Sequence, residues 1–435
     1  MSHQHKQAKH YTLRELGLSS DRLDRHAIQI TERLVKAGFQ AYLVGGCVRD
    51  SLLGMHPKDF DVSTNAEPEE IQALFKNCRL IGRRFRLAHI HFGRHIIEVA
   101  TFRGPHLKHD SNKSHAHKDG RLLRDNVYGT LEEDAWRRDF TINALYLDAQ
   151  KLTVIDYVGG IDDHQQRSIK LMGEPATRFK EDPVRLLRAV RFKAKLNFQI
   201  EADTEAPMRE MAPLLKDIPS ARLYDEVLKL FLNKQANQIF SDLRHYGLFE
   251  ALFPQTELCL QKAKTEQPLG LIQQAMQNTE SRLNNDQHIT PYFLLATLLW
   301  EPVRRLTEKN RSSFSSETQA IHAAAHEVIA HQVSRVAIPR RITTPMREVW
   351  ALQPRFHKQV GVRCLRFLEH PRFRAAYDFM LLRAQYGEVD QKLADWWTHI
   401  QTLESAEQKS MTRPNQFKNK GKPRNKTNKS TPPSS

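Results

Sequence analysis

Beyond Asp182 the apolar residues of this chain recur at the three- and four-residue spacing of helices and keep that spacing to Glu404. The first 160 residues instead interleave short β-branched or aromatic runs with helical stretches. These two periodicities predict an α+β chain, a mixed α/β head followed by an all-helical body. At 435 residues the chain exceeds what one ordinary core organises, so two to three domains are expected. We divide it into an N-terminus at 1–18, a head at 19–160, a helical neck at 161–260, a helical body at 261–407 and a tail at 408–435.

The head opens with a helical pattern over 19–38, in which Leu23, Ala27, Ile30 and Leu34 form one stripe and Gly38 lies past the end. A strand at 41–44 leads into Gly45-Gly46 and a short helix that stops at Gly54. Further strands are expected at 60–63, 89–92, 96–101, 144–147 and 153–157. Residues 105–120 are polar and His-rich, which reads as a mobile loop. Its His106, His109, His115 and His117 have spacings that could bind metal, but no supporting pattern surrounds them, so a solvated loop is the reading. From Gln408 onward there are eight Lys/Arg and no Asp or Glu, a composition that cannot bury enough apolar surface to order itself. In the helical half, Trp350, Trp396 and Trp397 are expected in the core.

A formal net charge of +16 attracts polyanions, and the basic tail is an electrostatic anchor for one. A membrane span needs about 20 apolar residues; the longest run, 292–300, is far shorter, so no membrane partner is expected. No secretory signal is visible, and the expected location is cytoplasmic. Four scattered cysteines without Cys-x-x-Cys spacing indicate neither a disulfide framework nor a zinc site.

In Lys58-Asp59-Phe60-Asp61-Val62, alternation along a strand sends both carboxylates to one face and Phe60 and Val62 to the other. Such a pair can hold divalent metal, since Mg²⁺ takes oxygen ligands from one or two carboxylates plus substrate phosphates. An isolated Asp-x-Asp is equally the sequence of a solvated turn, so its context decides. Upstream, Gly45-Gly46 sits between a strand and a helix carrying Arg49, where backbone N–H groups can approach phosphate closely.

The run from Leu43 to Asp50 (LVGGCVRD), with Leu52-Leu53-Gly54 and Asp59-Phe60-Asp61, resembles the opening motif of the class II nucleotidyltransferases, the bacterial poly(A) polymerases and CCA-adding enzymes. Arg137-Arg138-Asp139-Phe140-Thr141-Ile142-Asn143-Ala144-Leu145 resembles that family's second motif. The block from Glu181 through Asp182, Pro183, Arg185, Arg188 and Arg191 to Phe192 resembles its nucleotide-recognition motif. The resemblance implies that Asp59 and Asp61 hold Mg²⁺ or Mn²⁺, with Asp139 as third catalytic carboxylate and Glu98 in reserve. It further implies that Gly45, Gly46, Arg49, Arg138 and Arg188 contact the nucleotide, and that Asp182 and Arg185 present a donor and acceptor edge to the base. By itself the third block also reads as a capped helix with Asp182 at the N-cap, Pro183 at the first helical position and solvated arginines.

The shared motifs do not separate poly(A) from CCA addition. The stretch 74–90, with Arg79, Arg83, Arg84 and Arg86 and no acid among them, is similar to that of bacterial poly(A) polymerases and suits phosphate contact. The expectation is a template-independent polynucleotide adenylyltransferase, monomeric, acting on RNA 3′ ends with ATP as substrate and releasing pyrophosphate. Partners in RNA decay are not legible in the sequence. A CCA-adding enzyme and a non-catalytic RNA-binding adaptor are the alternatives. Cys47 stands where the family usually has a small residue, and it reads as packing rather than as a redox device.

Overall fold

The computed structural model describes residues 7–82, 86–104, 114–116, 122–125 and 127–413. Arg83, Arg84, His106, His109, His117 and the tail beyond 413 lie outside the described residues. By contact the chain divides into two compact units, one of Met1–Gln261, Met276–Ile289 and His331–Ile338, the other of Lys262–Ala275, Thr290–Ala330 and Pro339–Ser435.

The first unit begins with β1 (Lys9–Thr12), α1 (Arg25–Lys36), β2 (Ala41–Val44), α2 (Gly46–Leu52), β3 (Asp61–Thr64), α3 (Pro68–Leu74), β4 (Cys78–Ile81), β5 (Leu87–Phe92) and β6 (His95–Thr101). It continues through β7 (Ser114–Ala116), β8 (Leu122–Asp125), α4 (Leu131–Arg137), β9 (Leu145–Asp148), β10 (Thr153–Asp156), α5 (Gly160–Gln165), α6 (Pro175–Glu181) and α7 (Val184–Leu196). Eight strands form one sheet in the order β1-β10-β9-β2-β3-β6-β5-β4, while β7, inside the stretch expected to be loop, pairs separately with β8 just past its end. Neighbours in the large sheet run antiparallel except β3 and β6, whose parallel pairing is bridged by α3 and the β4–β5 hairpin.

Alternation gives the sheet two faces. Leu43, Val62, Ile97, Val99, Leu145 and Leu147 join one buried cluster with Ala27, Ile30 and Leu34 of α1 and Ile71 of α3. Val44, Phe102, Tyr146 and Ile155 form a second cluster with Leu131 and Ala135 of α4. The stripe expected on α1 is thus buried, and its N-cap is Asp24, whose carboxylate accepts from the His26 and Ala27 N–H groups. A short 3₁₀ turn, Ser20–Arg22, occupies the start of the stretch expected to be helical. The predicted strands recur with ends shifted by one or two residues, but β1 and β4 were not expected. Both lie at sheet edges, where one strand partner and an open side leave no clean apolar alternation to read.

Beyond α7 the first unit is helical, apart from Gln199–Ile200, which pairs in parallel with Ser168–Ile169 from ahead of α6. In the second unit, Trp350 and Trp397 are fully buried and donate from Nε1 to the carbonyls of Ala296 and Phe356, 3.2 and 2.8 Å away. Trp396 packs at the edge of the same core as Trp397. The helix Ser405–Met411 runs past Gln408, where composition alone places the start of an unstructured tail. Its Glu404 and Glu407 make a reciprocal cap that composition does not weigh.

The turn out of β10 hangs on one side chain. Buried Asp156 accepts from the N–H groups of Val158, Gly159 and Gly160 through Oδ1 and of Ile161 through Oδ2, at 2.9–3.1 Å. Asp156→Ala leaves these donors without a partner and is expected to cost about 3 kcal/mol, read as a lowered urea midpoint; an unchanged midpoint contradicts the account.

Candidate active site

Register places the functional side chains. Pairings across the sheet align His10, Ile155, Tyr146, Val44, Asp61, Glu98, His89 and Arg79 in one transverse row, one residue per strand. Cross-strand partners point to the same face, so Asp61 and Glu98 stand side by side with Val44 and Tyr146 beyond them. Phe60 and Val62 are buried on the opposite side, as the alternation predicts. Because Val44 lies opposite Asp61, the Gly45-Gly46 turn leaves the sheet beside the carboxylate. Gly45 has φ +77°, which a residue with a Cβ adopts only under strain, and it caps α2 with the Arg138 Nη1 atom 3.6 Å from where a Cβ would stand.

Asp61, Glu98, Arg103, Asp134, Arg137 and Arg138 line a cleft of about 240 Å³. Asp61 keeps an open surface, yet the surrounding walls displace much of its water. That desolvation, with the charges of Glu98 and Asp59, outweighs Arg138 and pushes its carboxyl up to about 6. Glu98 Oε1 lies 3.3 Å from His89 Nε2. Asp61 and Glu98 both offer oxygen, the donor type that hard divalent cations prefer, and Asp59 is near enough to add its charge at Asp61.

Arg138 is held by two partners that sequence reasoning missed. Its Nε donates to Tyr146 Oη at 2.9 Å and to Asp134 Oδ2 at 3.2 Å, and Nη2 donates to Asp134 at 3.0 Å. The Tyr146 hydroxyl itself donates to Asp134 Oδ2 at 2.6 Å. Burial would lower the Arg138 pKa, but Tyr146 and Asp134 overcome it and leave the guanidinium firmly charged. Arg178 donates from Nη2 to the carbonyls of Arg137 and Arg138, fixing the backbone where α4 ends. Asp134 lies one helical turn before Arg138, a spacing that could have been noticed; Tyr146 arrives only through the register of β9.

Asp139 is not in that cleft's lining. It accepts from the Phe140 N–H, from Asn143 Nδ2 at 3.1 Å and from Arg188 Nε at 2.6 Å. Burial raises its carboxyl, but Arg188 and these hydrogen bonds dominate and hold it well below the usual carboxylate range. Asn143 Oδ1 accepts from Arg49 Nη1 at 2.6 Å, and Arg49 also pairs with Asp50, which accepts from Lys195 at 2.8 Å. The guanidinium groups of Arg49, Arg188 and Arg191 all stand over the Phe192 ring, at 4.9, 5.3 and 5.2 Å from its centroid.

Helix α7 starts at Val184, one residue later than expected, with Asp182 Oδ1 accepting from the Val184 N–H at 3.3 Å. Arg222 grips Asp182 through both Nη atoms at 2.8 and 2.7 Å. Buried Arg185 donates to the Arg178 carbonyl at 2.6 Å and to Glu181 at 3.2 Å. Arg79 is exposed on β4 and Arg86 pairs with Glu69 of α3, so a sequence read as free of acids meets one in space. Cys47 is buried and donates its thiol to the Val44 carbonyl. Burial, then the charge of Asp61, pushes that thiol up to about 12, which removes the thiolate that oxidation requires.

A sheet-borne carboxylate row beside a glycine turn, backed by an arginine-bearing helix, defines a nucleotidyltransferase head. Three family models match in order: "Poly A polymerase head domain" over 41–170, "Probable RNA and SrmB- binding site of polymerase A" over 197–260 and "Polymerase A arginine-rich C-terminus" over 314–431. Poly(A) polymerase I of Salmonella typhimurium is 46% identical over 400 residues, covering 91% of this chain and 86% of the relative. That of Haemophilus influenzae is 46% identical over 392 residues, covering 89% and 86%. The solved Bacillus stearothermophilus CCA-adding enzyme in complex with CTP superposes with TM-score 0.53 at 26% identity, covering 86% of this chain and 82% of that one. The chain belongs to the bacterial poly(A) polymerase I family, enzymes that add AMP to RNA 3′ ends.

Because the Asp139 pKa is depressed, its contribution to stability is present above the unfolded value of about 4 and is lost as pH falls toward the folded one. Asp139→Asn is expected to cost about 2–3 kcal/mol at pH 7, less than a fully buried orphan charge costs because Arg188 keeps 33% of its side-chain surface. The gap from the parent should narrow only below about pH 4, as denaturation at a series of pH values would reveal.

Proposed function

We propose that Asp59 and Asp61 hold Mg²⁺ or Mn²⁺, that Glu98 is the third carboxylate of the centre, and that Asp139 is a positioning residue. The observation that carries this reading is the parallel pairing of Asp61 with Glu98, which concentrates negative charge in a cleft already short of water. Asp139 is fully engaged by Arg188, Asn143 and a backbone N–H, which supports a role in ordering the second motif.

The RNA 3′-hydroxyl attacks the α-phosphate of ATP in line, the bond to the β-phosphate breaks and pyrophosphate leaves. A metal bound by these carboxylates would screen the triphosphate and favour the ionised 3′-oxygen. Arg138, its fork already oriented by Asp134 and Tyr146, offers its remaining N–H groups to phosphate, with the Gly45-Gly46 backbone alongside. Fixing these donors beforehand reduces the ordering cost at the transition state. Arg49 and Arg188 act through the network that seats α2 and α7. In this reading an adenine competes with Arg222 for Asp182 and with Glu181 for Arg185, so that protein side chains choose the base. Arg79 and Arg86, with Arg83 and Arg84, contact RNA phosphates, and the enzyme works as a cytoplasmic monomer.

Incubating the protein with a generic RNA and each NTP separately tests the reading: long extension with ATP alone is expected, and addition that stops at CCA on tRNA ends overturns it. Asp59→Asn or Asp61→Asn should lower incorporation about 10³-fold or more, the scale of losing metal electrostatics at a phosphoryl transfer. Glu98→Gln should lower kcat about 100-fold with an unchanged Tm, whereas Asp139→Asn should lower Tm first; the reverse pattern restores Asp139 as the third carboxylate.

With Asp61 near 6, metal must displace its proton below that pH. Apparent metal affinity should fall about tenfold per pH unit under pH 6 and recover with added metal, as a metal titration of activity at pH 5 and 7 would measure.

A further inference from the structure

At the start of β6, three residues before Glu98, the trio Asp24, His26 and His95 gathers where the start of α1 meets the tip of the β5–β6 hairpin. One ligand atom from each lies within 4.8 Å of those of the other two. The two Nδ1 atoms face each other at 3.4 Å, and the Asp24 carboxylate approaches both rings, with Oδ1 3.9 Å from His26 Nδ1 and Oδ2 3.9 Å from His95 Nδ1. We propose that these three residues form a second metal site, distinct from the catalytic carboxylates, which takes a borderline transition metal such as Zn²⁺.

Geometry and donor chemistry both argue for it. Two imidazole nitrogens bound to one tetrahedral Zn²⁺ at about 2.0–2.1 Å stand roughly 3.3–3.4 Å apart, the separation already present. Asp24 Oδ2 needs to close on His95 Nδ1 by about half an ångström, and it starts within 4.8 Å of both rings' ligand atoms, to complete a His₂Asp set with one position left for water. Each ligand is held before any metal arrives. Asp24 Oδ1 is fixed by the two α1 N–H groups it caps, which leaves Oδ2 for the metal. His26 stacks on Phe92, with centroids 4.2 Å apart and planes inclined by 23°. His95 opens β6 directly after the two-residue turn Gly93-Arg94, where Gly93 takes φ +64°. Nitrogen ligands select for Zn²⁺ over Mg²⁺, so this site and the all-oxygen centre sort different ions. Occupied, it pins the hairpin tip to α1 and so stiffens the strand that carries Glu98.

The test uses the full chain, stripped with chelator and then dialysed against Zn²⁺ or Co²⁺ in excess Mg²⁺ to mask the carboxylate centre. The parent and Asp61→Asn should each retain about one zinc per chain, with a Zn²⁺-dependent rise in Tm and a visible Co²⁺ band of four-coordinate intensity. His26→Ala and His95→Ala should retain at least about tenfold less and lose the Tm response, while keeping RNA extension as proof of folding. Should either alanine variant fail to fold, His95→Gln, at a partly exposed position, decides by the same retention. A parent that keeps no zinc overturns the proposal. So does retention unchanged by the histidine substitutions, which would place the metal on the histidines of 105–120, or retention lost in Asp61→Asn.

Discussion

The strand-rich head and helix α7 are held together by a relay of charged hydrogen bonds. Lys195 and Arg49 meet on Asp50, Arg49 reaches Asn143, and Asn143 and Arg188 meet on Asp139. Each of these groups would be costly to bury alone, and the relay leaves each with partners. It also sets the positions of α2 and α7 against the second motif, and with them the Gly45-Gly46 turn and the arginines around Phe192. The site therefore depends on polar contacts that lie behind it.

Reactivity in the cleft arises from a division of labour among carboxylates of one chemical type. Asp139 and Asp134 are saturated by cations and hydrogen bonds, which holds both below the ordinary carboxylate range despite burial. Asp61 receives mainly desolvation and like charge, and is raised. An acid already neutralised by its neighbours has little to offer a metal, whereas one crowded by other acids gains from a cation. The same contrast separates Arg138, clamped by Asp134 and Tyr146 at the cleft wall, from Arg185, turned back onto its own loop.

The carboxylate row occupies one face of the sheet and α1 and α3 cover the other, and the edge strands join that covered core, Cys78 of β4 within it and Tyr11 of β1 packed against it. Arg79 on β4 shares the catalytic row at the far edge, which sets a positive charge in line with the acids and three strands away from Asp61. A polyanion lying along that row would meet carboxylates at one end and a guanidinium at the other.

The sequence by itself determined the order of elements, the switch from strand to helical periodicity and the burial of Phe60 and Val62 on the side away from Asp61, because these follow from local spacing. It also carried the three motifs that belong to the family. It did not determine which acid stands beside Asp61. Glu98 lies 37 positions away in the chain and becomes a neighbour only through the parallel register of β3 and β6, a pairing that no local pattern encodes. Asp139 is the acid that the motif favours, and its capture by Arg188 is a contact across 49 positions. Tyr146 on Arg138, Glu69 on Arg86 and the meeting of His26 with His95 were likewise decided by tertiary structure, since sheet register and helix packing choose partners that spacing leaves open.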